Sequence, residues 1–444
     1  MTSLIGFSAL KITPEETHIP LGGYYVRYST GVHDDVFVRI LYMATGEEEI
    51  FIIACDLLSF FGRIVEQLRN RINYQTGVKA ENILICALHD HSAPDINGLE
   101  GLNGFLKNTL NVEWFREIKV KIIKSAILAK KNATVGKIGF KSKILDMSEK
   151  LVINRRHPRR PLKYPLSVWK VTSNGTLKGS IINYACHGTT LNASNKLISA
   201  EYPGYLIRKL EKQFAPHFSM YLNGPCGDIN PYLFPIKWNL EKVDLDAVFA
   251  GSYGSYNDFC SYEHTERIGE GLADQAISLM NETTTKDIEK IQVINEKIEI
   301  PVDFNYPNKK FKDFLSTFFI KKLLLKLEKA YNRSNISYLS FIEKKGKLYA
   351  KTEIQLIKIN DDMLVIGIPA EAFSEIGEEL VKKSPTKNTV IVELANDFIG
   401  YIFPLNEIKY GGYEVDGIPN LGGMLPGTYI KNRILKLFEK LSND

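Results

Sequence analysis

His89-Asp90-His91-Ser92 closes the apolar run Asn82–Ala87 and sets two imidazoles two residues apart. On an extended backbone, residues i and i+2 face the same way. One ring can then bind a metal while the other reaches a substrate, although such a pair is more often an ordinary polar turn. His187 repeats the pattern after a second apolar run, Ser180–Ala185. A lone histidine at a strand end is commonly a hydrogen-bonded structural residue. Two such sites in one chain point to a shared metal, for which neutral imidazole is the commonest side-chain ligand. Glu371 follows a third apolar run in Ile368-Pro369-Ala370-Glu371. By itself it reads as an acid in the first turn of a helix, where the helix dipole favours it. As a third ligand it completes a His/His/Glu set of the kind that holds hydrolytic zinc and leaves a position for water. The turn Gly224-Pro225-Cys226-Gly227-Asp228-Ile229-Asn230-Pro231 is dense in residues that force tight geometry. It is either a plain turn or a frame whose amides hold a developing oxyanion.

These groups need elements that bring strand ends together. Apolar runs of strand length alternate with longer segments of helical period. Strands are expected at Val36–Met43, Ile50–Asp56, Asn82–Ala87, Ser167–Thr172, Ser180–Ala185, Phe218–Leu222, Gln292–Ile300, Glu353–Ile359, Met363–Ile368 and Asn388–Leu394. Helices are expected at Phe61–Tyr74, Trp114–Lys131, Tyr202–Gln213 and Glu263–Asn281, and after Pro369. The alternation predicts an α/β fold of layered mixed β-sheets flanked by helices. In such folds, polar clusters just past strand ends are the usual place for a site. Residues 1–444 read as one catalytic unit without a separate C-terminal domain, and Glu282–Lys290 as a surface loop rather than a linker.

Bulk composition narrows the function classes. Apolar residues make up 44% and charged residues 24% of 444 residues, the mix of a packed globular protein. The formal charge of +5 comes without a dense basic block interleaved with aromatics, so nucleic acid is not an expected partner. Five cysteines with no CxxC spacing argue against a disulfide scaffold or a thiolate knuckle and suit a cytoplasmic location. The N-terminal residues lack the pattern of a signal peptide, and no run of 18 or more apolar residues occurs. Asp313–Leu327 mixes apolar residues and lysines at helical spacing. It reads as a helix packed on the body, or else as a lid that makes peripheral membrane contact beside a greasy pocket.

Taken in order, the motifs resemble the neutral, non-lysosomal ceramidases. The resemblance runs from Lys11–Pro14 through Gly22–Arg27, Gly31–Leu41, the HDHSAPD segment and Ile153–Pro158. It continues through Asn183–Asn192, Ser199–Leu206, the GDINP turn, IPAE, Asn396–Tyr401 and Gly411–Glu414. It implies a Zn2+ held by His89, His187, Glu371 and Tyr401, with substrate contacts from His91, Tyr413 and an arginine. Spacing to Pro158 favours Arg156 for that arginine, with Arg155 beside it. The family pattern GDxSPN carries a serine where this chain has Asn230, so a serine nucleophile does not carry over. A metal-activated water needs no serine, and Asn230 can orient substrate or donate to an oxyanion. Cys226 is a weaker candidate nucleophile.

The expectation is a zinc-dependent amidohydrolase cleaving the amide of a ceramide-like or other acyl-amide, lipid-like small molecule. One alternative is ester or lactam cleavage, or acyl transfer, on the same scaffold; product analysis separates these. The other is a binding protein without catalysis, which would hold no metal.

Overall fold

The computed structural model describes residues 3–24, 27–96, 113–233, 259–301, 340–416 and 426–442. Its apolar runs pair into three larger sheets. The first has the order Ile83–Ala87, Glu48–Cys55, Phe37–Thr45, Leu4–Lys11, Thr134–Val135. The second has Phe218–Asn223, Thr176–Tyr184, Leu166–Ser173, Lys137–Lys143. The third has Ile291–Pro301, Lys347–Ile359, Met363–Gly367, Asn388–Val392, with Ser340–Lys344 added to Lys347–Ile359.

Each sheet is mostly antiparallel but holds a parallel pair. These pairs are Glu48–Cys55 with Ile83–Ala87, Thr176–Tyr184 with Phe218–Asn223, and Met363–Gly367 with Asn388–Val392. Parallel strands are covered on both faces and therefore read as unbroken apolar runs. Ile83–Ala87 and Met363–Gly367 are buried at every position. The C-terminal ends of the three pairs meet. The backbone N–H of Glu393 donates to Asn223 O (3.1 Å), that of Asn396 to Ile85 O (2.7 Å), and that of His91 to Gly188 O (3.1 Å). These bonds fasten the third sheet to the second, the third to the first, and the first to the second.

Helices cover the sheets. Gly62–Thr76 buries Val65, Leu68 and Ile72, and Glu113–Lys131 buries Trp114, Phe115, Ile118 and Ile122, all in one cluster with the first sheet. Glu201–Gln213 and Tyr262–Asn281 pack together on the second sheet, and Ser374–Lys383 and Pro426–Ser442 on the third. A larger core around Trp169 joins all three sheets. Each fully buried large apolar side chain in these cores contributes about 1.5–3 kcal/mol. Layered mixed sheets with flanking helices are thus the architecture, as the alternation implied.

The helix after Pro369 starts only at Ser374, because Glu371 and Ala372 pair in parallel with Tyr401 and Ile402. Glu371 is therefore not a helix-start acid: its N–H bonds Gly400 O (3.0 Å). Glu282–Lys290 lies on the body, with Thr283 and Ile288 buried and Lys286 exchanging backbone bonds with Ile138. The amphipathic stretch Asp313–Leu327 falls outside the described residues. Among the described residues no helix is long and apolar enough to cross a membrane.

Asp228, from the Gly-rich turn, does the work of a cap on the helix Ser374–Lys383. Its Oδ1 accepts from Ser374 N (2.6 Å), and its Oδ2 from Ser374 Oγ (3.0 Å) and Asn154 Nδ2 (2.6 Å). Asp228→Ala leaves these buried donors without an acceptor and should cost about 2–4 kcal/mol in denaturant unfolding. A loss below about 1 kcal/mol would show that the turn and the helix are held by other contacts.

Candidate active site

The three strand-end pairs deliver their next residues to one place. His89 follows Ile83–Ala87, His187 follows Thr176–Tyr184, Glu371 follows Met363–Gly367, and all three are buried. The Nε2 atoms of His89 and His187 are 2.9 Å apart, and His91 Nε2 lies 3.2 Å from His89 Nε2. Glu371 Oε2 sits 3.0 Å from His89 Nε2 and 3.8 Å from His187 Nε2. The extended geometry expected for the HxH pair is not what brings these rings together. His89 has φ +60°, a left-handed conformation uncommon for a residue with a Cβ. Its neighbours fix it there: Asp90 N donates to Leu57 O (3.1 Å) and His91 N to Gly188 O.

The outer ring nitrogens set the inner ones. His89 Nδ1 lies 3.2 Å from Leu58 O, and His187 Nδ1 3.2 Å from Cys226 O. Carbonyls only accept, so both Nδ1 atoms carry the proton and both Nε2 atoms present lone pairs to each other. Glu371 Oε2 is a buried oxygen with no hydrogen-bond donor among the described residues, and it faces the same point. Burial pushes His187 and His91 well below the usual imidazole range, so both are neutral. For His89 burial also lowers the pKa, but the charge and hydrogen bond of Glu371, with Glu393 and the Leu58 carbonyl adding, together leave the group raised. One proton on His89 cannot serve two imidazoles and a carboxylate at once. A cation with several bonds can, and His89, His91 and His187 form a cluster with the donor spacing to hold a metal ion. The residues present therefore fit a metal.

Tyr401 stands beside this cluster through the Glu371–Tyr401 pairing. Its hydroxyl is 3.1 Å from Tyr413 Oη, and burial, with Glu371 adding, holds it well above the usual phenol range. Of the two consecutive arginines, Arg155 is the one turned to the site. It donates to Gly227 O (2.6 Å), Asn230 Oδ1 (3.2 Å) and Tyr401 Oη (3.4 Å), and its charge is felt by His91 and His187. Arg156, favoured by spacing, is held elsewhere. It binds Glu407 Oε2 (2.8 Å), Glu414 Oε2 (3.0 Å) and Gly411 O (2.7 Å) and lies over Phe373. It clamps the segment that carries Tyr413. The two side chains part in the bend after the strand Val152–Asn154, and Glu414 spans both arginines, since its Oε1 pairs with Arg155 Nε at 3.0 Å.

Asn230, largely buried, keeps its carbonyl on Arg155, which leaves its amide hydrogens for another acceptor. Cys226 is fully buried, and burial together with Glu393 pushes its thiol well up. That protonated state removes it as a nucleophile. Two neighbours were not singled out from sequence. Glu393 bears the same mark as the histidines, the first polar residue after an apolar strand. Gly23, at φ +69°, packs so close to His91 that a Cβ there would overlap the ring.

No protein-family model matches the chain. The three-sheet frame has the fold of a neutral ceramidase-like domain. The structure is similar to that of neutral ceramidase from Pseudomonas aeruginosa, with a TM-score of 0.73 at 17% identity over 99% of this chain and 75% of that one. A second solved structure, described as ceramidase complexed with C2, gives 0.72 at 16% identity over 100% of this chain and 76% of that one. In sequence the chain is 22% identical over 349 residues to neutral ceramidase of Drosophila melanogaster, covering 68% of this chain and 48% of that protein. The Drosophila pseudoobscura pseudoobscura protein matches to the same extent. The chain thus spans about half the length of the curated relatives it matches.

Gly23→Ala should displace the His91 ring and cost about 1–3 kcal/mol, from overlap and the left-handed backbone together. Histidine NMR of the folded variant reads the displacement. An unchanged His91 signal would mean that the loop, not the ring, gives way.

Proposed function

We propose that this protein is a zinc-dependent amidohydrolase that cleaves the amide of an N-acylated, ceramide-like substrate. The observation that carries the reading is the convergence of two imidazole lone pairs and a donorless carboxylate oxygen in a buried site on this fold. His89, His187 and Glu371 would hold the metal, with Tyr401 joining from the paired strand. His91 lies close enough to be either a further ligand or a proton carrier, and we assign it the second role. The similarity to neutral ceramidases supports the substrate class.

Zinc, when bound, supplies a Lewis acid and lowers the pKa of water toward neutrality. The rest falls to side chains. His91, kept neutral by burial, can take a proton from the attacking water and pass it to the departing amine. Arg155 brings a fixed guanidinium to the side where the carbonyl oxygen gains charge, and the Asn230 amide adds a neutral donor. Tyr413 Oη, bonded to Tyr401, completes that wall. A tetrahedral oxyanion is then met by groups already in place, and no serine or thiol nucleophile is required.

Elemental analysis should find close to one zinc per chain, lost in His187→Ala. Metal retained by that variant would remove His187 from the site, and a metal-free parent would overturn the hydrolase reading. On N-acyl substrates, Arg155→Ala should lower kcat by about 10²–10³-fold, the usual loss of an oxyanion donor. Arg156→Ala should instead raise KM by loosening the segment around Tyr413. Equal effects of the two variants would contradict the division of labour drawn here. Parallel assays with matched amide and ester substrates identify the bond that is cut.

A further inference from the structure

Behind the histidine cluster lies a buried carboxylate that the reaction does not use. Glu393 is fully buried at the end of Asn388–Val392, and among the described residues no lysine or arginine pairs with it. Its partners come from the end of Phe218–Asn223 and the turn after it. Oε2 accepts from Cys226 N (3.0 Å), while Oε1 accepts from Cys226 Sγ (2.8 Å) and Asn223 Nδ2 (3.3 Å). Burial pushes this carboxyl up to about 8. Enclosing an acid with no lysine or arginine beside it is costly, and a neutral acceptor could serve a turn equally well.

The turn that Glu393 grips is the one that orients His187. Cys226 O accepts from His187 Nδ1, and the N–H of the same peptide, on Gly227, bonds Ala372 O (2.8 Å) next to Glu371. A second partner for His187 stands close by. Cys226 Sγ is 3.6 Å from His187 Nδ1. Were the thiol to donate there, Nδ1 would become the acceptor. The ring proton would then move to Nε2, and the lone pair facing His89 would be lost. Glu393 Oε1 accepts the thiol hydrogen bond in the other direction.

We propose that Glu393 is a positioning residue for His187: by holding the thiol and the backbone N–H of Cys226 it keeps the His187 proton on Nδ1 and the Nε2 lone pair toward the centre. The consequence for metal rests on the reading of His187 as a ligand; the tautomer does not. The arrangement parallels outer partners that fix the tautomer of metal-binding histidines, here acting through a cysteine.

The test uses the full chain, metal-free and labelled with 15N-histidine. Long-range 1H–15N correlation reports which His187 nitrogen is protonated, and chelator competition reports zinc affinity. The parent should show the Nδ1–H form. Glu393→Ala should shift His187 toward Nε2–H and weaken zinc binding by about 10–100-fold. Adding Cys226→Ala removes the competing thiol and should restore the Nδ1–H form. A Glu393→Ala protein that keeps Nδ1–H and the parent's affinity overturns the proposal, as does a double variant that stays in the Nε2–H form. If Glu393→Ala does not fold, Glu393→Gln decides. It keeps one acceptor oxygen and should give mixed tautomers, and a purely Nδ1–H spectrum overturns the proposal. A parent that binds no zinc, with a Glu393→Ala variant that still switches tautomer, refutes the metal reading and leaves the positioning role standing.

Discussion

Three imidazole nitrogens and a carboxylate oxygen crowd one buried point, and their own protons cannot satisfy them all. Most of the architecture serves to keep them there against that mutual repulsion. Each large sheet contributes the end of its parallel pair, and backbone bonds at Asn223, Ile85 and Gly188 knit those ends into a ring. The donors therefore sit just past the buried ends of stiff strands, held where they crowd. Carbonyls of Leu58 and Cys226 behind two of the rings settle which nitrogen faces inward. A site of this kind is held ready for a cation by the fold and not by the ligands' own preference.

Much of this was legible in the chain because strand ends announce themselves. His89, His187 and Glu371 each follow an apolar run and break it with a polar group, and the structure brings these three together. The alternation of short apolar runs with helical periods also gave the layered α/β class. What the chain did not disclose is set by contacts distant in sequence. Glu371 read as a helix-start acid because Pro369 precedes it, but pairing with Tyr401 draws it into a strand bridge. The convergence of His89 and His91 depends on a left-handed residue that no spacing rule foretells. Which arginine of the pair faces the histidines is decided by Glu407 and Glu414, some 250 residues further along.

Those two glutamates give the site a second level of organisation. Glu407 and Glu414 are buried; Arg155 and Arg156 match their charges, and His157 Nε2 lies 2.8 Å from Glu407 Oε1. Breaking one member of such a network strands the others, so its cost exceeds that of a surface ion pair. The segment that presents Tyr413 is thereby tied to the same two residues that follow the strand Val152–Asn154, and Asn154 in turn bonds Asp228. Substrate-facing and metal-facing groups share one scaffold of buried polar contacts.

The ring of strand ends has a further consequence. His89 and His187 are 98 residues apart in the chain and follow strands of different sheets, with Glu371 past the end of a strand of the third. An ion bonded to all three would be a cross-link through the centre of the molecule, present only in the folded state. Its binding energy would add to the folding energy by mass action. The chain would then register scarcity of that ion as a loss of cohesion between its sheets, well before any question of catalysis arose.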